Sequence, residues 1–471
     1  MIVVTAFADQ DVAVLGLGRS GRATALALMA GGTRVHAWDD DAARREAAEV
    51  AGIPLTDPTT LDWSRIVALV PSPGVPLTHP APHPVIVQAQ AAGTEIIGDI
   101  ELLVRSRRAA RIVAVTGTNG KSTTTALIGH MLGRDGRRVE IGGNLGRPAL
   151  DLEPLGADGI YILELSSYQL ALATRFAPDI AVWLNISPDH LDRHGDMAGY
   201  VAAKRKIFGR TDGVAVLGID DELSFETFKA LDADGGRHLV PVSLKLMPSG
   251  GVCVEGGVLR DVIGDDAWPV VDLRLAQGLR GVHNWQNAAC AFAAARALGV
   301  PSAVAGGAII SFPGLAHRME PITTLNGIPF INDSKATNAQ AAAQALACFD
   351  NIYWIVGGRP KDGGIDTLAP LFSHIAHAFL IGEAADAFAR TLKGRVAVTR
   401  SGDLESAVRD AAAAATANPD NRGVVLLSPA CASFDQWSDF EARGDAFRDA
   451  VNALTLDASG PAPADHRRIA S

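Results

Sequence analysis

The stretch RIVAVTGTNGKSTTTALIGHML, from Arg111 to Leu132, decides the fold of this chain. An apolar run predicts a buried strand, a glycine-rich turn follows, and the residues after the turn are typical of a helix. Such a turn directs backbone N–H groups at one spot, and the helix N-terminus adds a partial positive charge. The spacing departs from the pattern G-x-x-x-x-G-K-[ST], because Val115 stands where the first glycine would be. The stretch therefore predicts a phosphate site of another spacing in an α/β layer.

The predicted loop contains the groups that a nucleotide phosphate requires. Lys121 supplies a full positive charge for the outer phosphates, and the hydroxyl of Ser122 or Thr123 can reach a magnesium ion. A glycine turn with an exposed lysine is the alternative, but it accounts for neither the preceding strand nor the hydroxyl run STTT. The candidate phosphate-binding residues are Gly117, Thr118, Asn119, Gly120, Lys121, Ser122 and Thr123.

Strand–helix alternation continues on both sides of this stretch. DVAVLGLGRSGRATALALMAGG precedes it, and GIPFINDSKATN, NIYWIVGGRPKDGG and GVVLLSPACASFDQW follow it. This rhythm predicts α/β layers with parallel strands. A length of 471 residues corresponds to about three domains. Ligands of such sheets lie beyond the carboxyl ends of the strands, so the polar residues found there are the site candidates.

Composition and charge narrow the class of protein. The chain is 48% hydrophobic and 20% charged, which is typical of a globular protein, and its net charge of −10 disfavours nucleic acid as a partner. Its four cysteines lie far apart without a C-x-x-C pair, which favours a reducing cytoplasm and disfavours a zinc knuckle. The start of the chain lacks the pattern of a signal peptide, and no apolar run reaches membrane-spanning length. We expect a cytoplasmic protein without membrane insertion.

Polar residues at later strand ends point to a metal site. Glu164 ends the strand YILEL, where a buried strand would otherwise stay apolar, and a carboxylate suits magnesium. His190 in SPDHLDRHG follows the next predicted strand. The alternatives are a helix-start carboxylate for Glu164 and a solvated loop histidine for His190. Lys204 and Lys206 in GYVAAKRKIFG could equally form the wet face of an amphipathic helix, and spacing alone ranks neither above the other.

The first glycine turn allows a different function. Gly16, Gly18 and Gly21 in GLGRSG fit the dinucleotide fingerprint, with Asp39 after the next strand, and the doublet Asp39-Asp40 disfavours NADP. A NAD-dependent dehydrogenase is therefore one alternative, which quenching of nicotinamide fluorescence would test. A non-catalytic nucleotide-binding regulator is another. The dehydrogenase leaves the second loop and NDSKATN unexplained, and a regulator needs no such density of polar strand ends.

Taken together, the motifs resemble the Mur ligases, the ATP-dependent amide-forming enzymes of peptidoglycan precursor synthesis. TGTNGKST resembles the ATP loop of that group, which begins at Gly117 and is also found in folate polyglutamate ligases. SPGVP with GDIEL, NDSKATN, and LSPACASFDQW followed by FEARGDAF resemble the members that add D-glutamate. The resemblance extends to about Phe447. It implies a Rossmann-like UDP-sugar domain (1–99), a P-loop-type ATP domain (100–314) and a Rossmann-like amino-acid domain (315–471).

The resemblance also implies substrates and catalytic residues. The implied substrates are ATP, UDP-N-acetylmuramoyl-L-alanine and D-glutamate. A monomeric enzyme with two magnesium ions would use ATP to join the other two through an acyl phosphate. It favours Lys204 over Lys206 as a carbamylated lysine, since Lys204 ends the phrase Tyr-x-Ala-Ala-Lys. The implied catalytic residues are Lys121, His190, Lys204, Arg318 and Lys335. The implied metal ligands are Ser122, Glu164, His190 and Lys204. No general base is assigned, and His190 and Asp189 are both candidates.

The remaining implied contacts fall into two groups. Besides the loop, the ATP contacts are Asn284 and Asn287 of HNWQN on the adenine side, Arg318 toward the phosphates and Asp333 at the ribose; a helix N-cap is the alternative for Asn284. In GGRPKDGG, Lys361 keeps the family's offset from the glycine pair, although its neighbours differ. The substrate contacts are Gly16, Arg19, Ser20, Asp39 and Asp40 for UDP, Asn144 for the substrate and the metal shell, Arg193 near the muramoyl-alanine carboxylate, Thr337 on the acceptor side, and Lys361, Ser428 and Phe434 for D-glutamate.

Overall fold

The computed structural model describes residues 1–106, 109–209, 212–264, 267–361, 363–418 and 423–458. The chain folds into three β-sheets flanked by helices, which confirms the predicted three-part α/β class. Several strands before predicted site loops are unbroken runs of buried residues, as in DVAVL and IYILE, and RIVAVT is buried after its first residue. Strands covered on both faces need such runs, because neither face meets water.

The first sheet is parallel, with the order β2-β1-β3-β4. The chain moves from β1 to β2 on one side and then to β3 on the other, so the sheet has a switch point between β1 and β3. A crevice opens beyond the carboxyl ends of strands at such a point. The elements are β1 (Asp11–Leu15), α1 (Arg19–Ala30), β2 (Arg34–Trp38), α2 (Ala42–Val50), β3 (Ile66–Pro71), α3 (Pro84–Ala91), β4 (Glu95–Ile96) and α4 (Asp99–Arg105).

The second sheet has the order β13-β12-β11-β10-β9-β8-β5-β7-β6 and is parallel except at the β11–β12 and β12–β13 pairs. Its switch point lies between β5 and β8. The elements are β5 (Arg111–Thr116), α5 (Lys121–Arg134), β6 (Val139–Gly143), β7 (Ile160–Glu164), α6 (Ser167–Ala171), β8 (Ile180–Trp183), α7 (Leu191–His194), α8 (Met197–Arg205), β9 (Val214–Gly218), α9 (Glu222–Asp234), β10 (His238–Ser243), β11 (Gly251–Glu255), β12 (Val258–Val262), β13 (Trp268–Asp272), α10 (Val282–Ala297) and α11 (Ser302–Ser311).

The third sheet has the order β14-β15-β19-β16-β17-β18, with β14 antiparallel to β15 and the other pairs parallel. The carboxyl ends of β15, β19 and β16 therefore lie side by side. The elements are β14 (Glu320–Leu325), β15 (Ile328–Asn332), α12 (Ala339–Leu346), β16 (Ile352–Gly357), β17 (Ile375–Ile381), α13 (Ala385–Leu392), β18 (Ala397–Gly402), α14 (Leu404–Thr416), β19 (Val424–Leu427) and α15 (Phe440–Ala458).

Contact density divides the chain into two units. The first contains Met1–Ala276 and Val282–Phe312, and with them the first two sheets; the second contains Gln277–Gly281 and the residues from Pro313 onward. The predicted domain boundaries near residues 99 and 314 stay predictions. Over the described ranges, no helix combines the length and apolar character needed to cross a membrane.

Helix α4, which carries the motif GDIEL, joins the first sheet to the second. The buried carboxylate of Glu101 accepts hydrogen bonds from the backbone N–H groups of Thr174 (3.0 Å) and Arg175 (2.8 Å) beyond α6. Asp99 is also buried, and the Nε2 group of Gln169 on α6 lies 3.5 Å from its Oδ2. The acidic residues of this motif therefore bind the connecting helix to the second sheet.

Asp99 should make stability depend on pH. Burial raises the pKa of Asp99 from 3.8 to about 6. The folded chain therefore penalises the ionised form, so stability falls as pH rises from about 4 to about 6 and the loss is constant above that. Asp99→Asn removes the charge and should be more stable than the wild type by up to about 3 kcal/mol at neutral pH, with no gain near pH 4. Urea unfolding across this range measures the difference, and a gain independent of pH would contradict the assignment.

Candidate active site

The predicted phosphate loop lies between β5 and α5, beside the switch point of the second sheet. Gly120 immediately precedes α5 and has a φ of 84°, in the left-handed region that favours glycine. A Cβ at Gly120 would lie 1.9 Å from Oδ1 of Asn287 on α10. Glycine is therefore required here both by the backbone conformation and by the close approach of α10.

The residues after β8 fix the conformation of this loop. The backbone N–H of Thr118 donates to the carbonyl of Asn185 (2.8 Å), and the N–H of Asn119 donates to the Asn185 side chain (2.9 Å). The Thr118 hydroxyl lies 3.1 Å from both the carbonyl oxygen of Ser187 and the phenol oxygen of Tyr200. Hydrogen bonds to the residues after β8 therefore fix the conformation of the loop independently of a ligand.

Lys121 folds back over its own loop. Its Nζ donates to the carbonyls of Gly117 (3.0 Å) and Thr118 (2.8 Å). The ammonium group therefore lies over the loop, next to the N-terminus of α5, where it adds to the positive potential of the helix. Ser122 is buried and Thr123 partly buried in the first turn of that helix.

Glu164 ends β7 and has an unsatisfied oxygen. The side chain is only 2% exposed. Its Oε1 accepts a hydrogen bond of 2.6 Å from Nδ2 of Asn144, whereas Oε2 is buried without a hydrogen-bond partner. A buried carboxylate oxygen without a partner is costly, and a hard divalent cation would satisfy it. Among the described residues, no three His, Cys, Asp or Glu side chains gather in a group that could hold a metal ion by themselves.

Lys204 on α8 is buried at the back of the phosphate loop. It is 1% exposed, and its Nζ donates to the carbonyl of Gly117 (2.8 Å) and to Oγ1 of Thr116 (3.3 Å). Burial, followed by repulsion from Lys121, lowers the pKa of Lys204 from 10.5 to about 6. Its amine is therefore mostly neutral at pH 7. Lys206 differs, since it is exposed and donates to the carbonyl of Ala171.

His190 and Arg193 lie on the turn that follows β8. The imidazole of His190 is about half exposed, and its Nε2 lies 3.4 Å from Oδ2 of Asp189. The guanidinium of Arg193 lies over the ring of Tyr168, and its Nη1 donates to the carbonyl of Gly74 (2.9 Å). Arg193 was predicted to contact muramoyl-alanine; here its head group binds a backbone carbonyl of the first region.

The asparagines of HNWQN lie inside α10. Both are buried, and Nδ2 of Asn287 donates to Oδ1 of Asn284 (3.0 Å). The helix begins at Val282, so Asn284 is its third residue and not its N-cap. Asn287 reaches the phosphate loop at Gly120, whereas the adenine contact predicted for the pair stays a prediction.

A cavity of about 640 Å³ opens at the switch point of the first sheet. It is lined by glycine turns, by the acidic end of β2, by the segment Ser72–Pro76 and, on the far side, by Gly143, Asn144 and Gln169 of the second region. The predicted substrate residues Gly16, Arg19, Ser20, Asp39, Asp40 and Asn144 all line it. Because Asn144 also bonds Glu164, this cavity reaches the predicted metal site.

Asp39 supports the wall of this cavity. Its Oδ2 accepts a hydrogen bond from the N–H of Leu17 (2.6 Å) and its Oδ1 from the N–H of Asp41 (2.9 Å). The carboxylate is buried, so these bonds hold the first glycine turn against the end of β2. Gly21 serves the same turn, since a Cβ there would lie 1.7 Å from the carbonyl oxygen of Gly16.

In the second unit, two predicted residues bond to each other. Asp333, just after β15, accepts a hydrogen bond of 2.9 Å from the hydroxyl of Ser428, just after β19. It also accepts one of 3.2 Å from the N–H of Met319. Burial raises the pKa of Asp333 from 3.8 to about 7. The two residues were predicted to contact different substrates, and both hydrogen-bonding groups are engaged here.

The other predicted residues of this unit differ in exposure. Lys335 places its Nζ 3.7 Å from the ring centroid of Phe440. Thr337 is half-buried and donates its N–H to the carbonyl of Lys335 (2.8 Å), and Arg318 is half-buried too. Lys361 is exposed, and Phe434 is 60% exposed. Lys335 therefore contacts an aromatic ring, that of Phe440, which was not predicted, and the D-glutamate contact predicted for Phe434 stays a prediction.

Arg443 on α15 was not predicted. It is fully buried; its Nε and Nη2 donate to the hydroxyl (3.0 Å) and carbonyl (2.8 Å) of Ser334, and its Nη1 donates to the carbonyl of Cys431 (3.1 Å). Burial lowers its pKa from 12.5 to about 10. Arg443 therefore joins the loop after β15 to the loop after β19. The motif FEARGDAF contained the residue, but its spacing gave no sign of burial.

Comparison with known families agrees with this geometry. Residues 115–295 match the family described as Mur ligase middle domain. Residues 317–431 match the family described as Mur ligase, glutamate ligase domain. The first match contains the phosphate loop, Glu164, His190 and Lys204, and the second contains Asp333 and Ser428.

Relatives match over nearly the whole chain. A protein of Phenylobacterium zucineum named UDP-N-acetylmuramoylalanine–D-glutamate ligase is 53% identical over 463 residues, covering 96% of this chain and 98% of its own length. A protein of Rhodospirillum rubrum with the same name is 50% identical over 474 residues, covering 99% of both chains.

Solved structures share the fold at much lower identity. UDP-N-acetylmuramate-alanine ligase MurC from Thermotoga maritima superposes with a TM-score of 0.58 at 18% identity, covering 94% of this chain and 99% of its own. MurF from Acinetobacter baumannii gives 0.56 at 21% identity, covering 84% and 93%. Similarity at this level shows the fold alone, whereas the relatives of about half identity show the family. The chain belongs to the Mur ligase family.

Proposed function

We propose that this chain is the Mur ligase that joins D-glutamate to UDP-N-acetylmuramoyl-L-alanine, with ATP as the energy source. The observation that carries the proposal is Asn144, which lines the 640 Å³ cavity and donates to Glu164 beside the phosphate loop. A UDP-sugar seated in that cavity would direct its acyl end to the place where a phosphate would be transferred. Relatives of about half identity with that enzyme name support the choice of substrates.

The first chemical step would activate the substrate carboxylate. A carboxylate oxygen attacks the γ-phosphorus of ATP; the new C–O–P bond forms as the bond to the β-phosphate oxygen breaks, and ADP leaves. Lys121 and the backbone N–H groups of the loop neutralise charge on the transferred group, so that catalysis rests on positioning and electrostatics. The product is an acyl phosphate, whose phosphate is a good leaving group.

The second step would form the amide. The unprotonated amine of D-glutamate attacks the acyl carbon, a tetrahedral oxyanion forms, and its collapse expels inorganic phosphate. The amine loses one proton to a base that stays unassigned. We propose that the second unit holds D-glutamate with residues of its strand-end loops, among them Lys335, Thr337 and Lys361. Because Ser428 and Asp333 bond each other, one of the two must exchange partners if both contact substrates.

Magnesium fits the residues around the loop. The unsatisfied Oε2 of Glu164 and the hydroxyl of Ser122 would hold one ion beside the phosphate loop, and His190 would hold a second. When bound, magnesium would neutralise phosphate oxygens and orient them for in-line transfer. Glu164 supplies a charge that is already buried and oriented by Asn144, which limits the reorganisation needed on binding.

We further propose that Lys204 becomes carbamylated. A neutral amine is required, and burial supplies one, since the pKa of Lys204 is about 6. The lone pair of Nζ attacks the carbon of carbon dioxide; an N–C bond forms as one C=O π bond opens onto oxygen, and the nitrogen releases one proton to water, so that a neutral buried amine becomes a carbamate anion. Lys121 lies close enough to lower the pKa of Lys204, and the same proximity would stabilise the carbamate.

The dehydrogenase alternative loses its basis. It rested on the glycine turn GLGRSG and Asp39, whereas the family matches cover the second loop and NDSKATN, which a dehydrogenase leaves unexplained. The other alternative was a non-catalytic nucleotide-binding regulator. It is disfavoured because the chain belongs to a family of ligases. Cytoplasmic location, the monomeric state and the three domain ranges stay proposals.

Substrate-dependent phosphate release tests the proposed function. Purified protein with ATP and magnesium should release phosphate when UDP-N-acetylmuramoyl-L-alanine and D-glutamate are both present, and form one amide per phosphate. L-Alanine or a diamino acid in place of D-glutamate should give no amide. Amide formation with either of these, or no turnover with the proposed pair, would refute the assignment.

Gly18 offers a direct test of the UDP-sugar cavity. Its φ is −64°, and a Cβ added there would meet no atom within 4 Å, so a larger side chain can be built without strain. Gly18→Leu should fill the cavity mouth and raise KM for the UDP-sugar by about 10-fold or more, a loss of at least about 1.4 kcal/mol. Gly133→Leu, at an exposed helix position with equal space, is the control. Equal KM values for the two variants would contradict the cavity assignment.

A further inference from the structure

One aromatic ring supports the turn that carries His190. His190 precedes α7, and Arg193 and His194 lie three and four positions later, so their side chains share a face. All three contact Tyr168 on α6. The rings of His190 and His194 lie 4.9 and 5.6 Å from the Tyr168 ring between centroids, and the Arg193 guanidinium carbon lies 4.7 Å from its centroid. Tyr168 is the platform on which the turn rests.

The backbone at His190 needs such support. Its φ is 52°, in the left-handed region that residues other than glycine seldom adopt. Strained conformations of this kind persist where surrounding contacts determine them. The surrounding contacts at His190 itself are with the ring of Tyr168 and, through Arg193 and His194, with the rest of the same turn; His194 in addition contacts the Ser167 hydroxyl (2.9 Å) and the ring of Tyr200. Loss of the ring should therefore release His190 from its present position.

The same turn contacts the first region at two places, one of them on the rim of the UDP-sugar cavity. Arg193 donates from Nη1 to the carbonyl of Gly74 (2.9 Å), and Gly74 lines the cavity. At the other end of the turn, a Cβ at Gly195 would lie 3.0 Å from the imidazole of His79, which follows the segment Ser72–Pro76 in the chain. Contact therefore runs without a gap from the cavity through Arg193 and Tyr168 to His190.

We propose that Tyr168 and Arg193 are positioning residues that hold His190 and link its position to occupancy of the nucleotide-sugar cavity. The link rests on the proposed function, since it takes the cavity ligand to be a uridine diphosphate sugar. A ligand that contacts the segment Ser72–Pro76 would shift the Gly74 carbonyl that Arg193 binds. Arg193 packs on Tyr168, and Tyr168 contacts His190, so that a shift of the carbonyl would change the position of His190. Coupling of this kind requires that ligand binding and the His190 position bias each other.

A spectroscopic measurement tests the link without turnover. The ring-proton signal of His190 is identified in the NMR spectrum of the metal-free, ATP-free full chain by its loss in His190→Gln. Because Tyr168→Leu also removes the ring current, the readout there is line width: the His190 signal should broaden in Tyr168→Leu and sharpen again in Tyr168→Phe, which keeps the ring. UDP-N-acetylmuramoyl-L-alanine, added at a concentration that calorimetry shows to saturate each protein, should shift the signal in the wild type but not in Arg193→Gln. A signal that stays as sharp in Tyr168→Leu as in the wild type, or that responds equally in saturated Arg193→Gln, overturns the proposal.

Kinetics provide the second readout. Tyr168→Leu should lower kcat by about 10- to 100-fold, as for residues that orient a ligand-bearing side chain, and change KM for the UDP-sugar less than threefold. Tyr168→Phe should recover most of the loss. Phe225→Leu, which removes an exposed aromatic ring on α9, is the distal control. Equal effects on kcat and KM, or no recovery by phenylalanine, would show a general structural role instead.

The two proposals fail differently. If the proposed function is wrong, titration calorimetry of the wild type with UDP-N-acetylmuramoyl-L-alanine gives no binding heat, and no amide forms. If only the link is wrong, the wild type binds this substrate and turns over while the His190 signal does not respond. Should Tyr168→Leu fail to fold, Arg193→Gln decides the question, because the Arg193 head group is partly exposed and packs on the outside of the ring.

Discussion

Glu164→Gln is expected to lower kcat for phosphate release at least about 100-fold, because a charge that interacts with the metal and phosphates contributes several kcal/mol in a buried site. The substitution keeps the shape of the side chain, and Asn144 can still donate to the amide oxygen. The position of Oε2 has no hydrogen-bond partner to lose, so the fold should be unaffected. Turnover measured over a range of magnesium concentrations should show both the lower maximum and a higher magnesium requirement.

Glu226→Gln is the matched control for this experiment. Glu226 is exposed on α9, the helix between β9 and β10 of the same sheet. The same change of charge there should leave turnover and magnesium dependence within about twofold of the wild type. Unchanged magnesium dependence in Glu164→Gln would remove this residue from the metal site. Circular dichroism and the thermal midpoint establish that both variants are folded.

Lys204→Ala is expected to lose turnover by about 100-fold or more, since it removes both the buried amine and any carbamate formed on it. The space left behind should admit a small carboxylate, so added acetate or formate should restore part of the activity. Lys204→Met fills that space and should be folded, inactive and not rescued. Mass spectrometry of the native wild-type protein should detect the mass of one added carbon dioxide, which Lys204→Ala lacks.

Lys206→Ala is the matched control, because Lys206 lies at the end of the same helix but is exposed. It should retain activity and the added carbon dioxide. The reaction with carbon dioxide should also depend on pH in a defined direction. Since the pKa of Lys204 is about 6, the unreactive ammonium form dominates below that value, and uptake of carbon dioxide should fall as pH decreases through it. Uptake that rises at acidic pH would contradict the assignment.

The parts of the fold that the sequence predicts are those with local patterns. Buried strands followed by glycine turns were predicted at β1 and β5, and a buried strand ending in a polar loop was predicted at β7; each strand is present. The strands β10 to β13 were not predicted. The hairpin between β11 and β12 turns through Gly256 and Gly257, a two-residue glycine turn that signals antiparallel strands and could have been used.

The site divides in the same way. Strand-end residues such as Glu164 could be predicted, because the carboxyl ends of parallel strands converge. Contacts between distant segments could not: Tyr168 beneath His190 and Phe440 beneath Lys335 depend on how loops without periodicity cross. The burial of Lys204 and the exposure of Lys206 could not be predicted either, because both lysines fit the polar face of an amphipathic helix equally well.

The contact between Gly120 and Asn287 has a consequence for mutational escape from inhibitors. A compound seated on the ATP loop would most simply be displaced by a side chain projecting from the loop itself. At Gly120 any such side chain would overlap Oδ1 of Asn287, which lies 1.9 Å from the Cβ position, and it would also have to adopt a left-handed backbone. A second change at Asn287 would remove this overlap, but the left-handed backbone would still disfavour any side chain at position 120, so we expect no escape by substitution of Gly120.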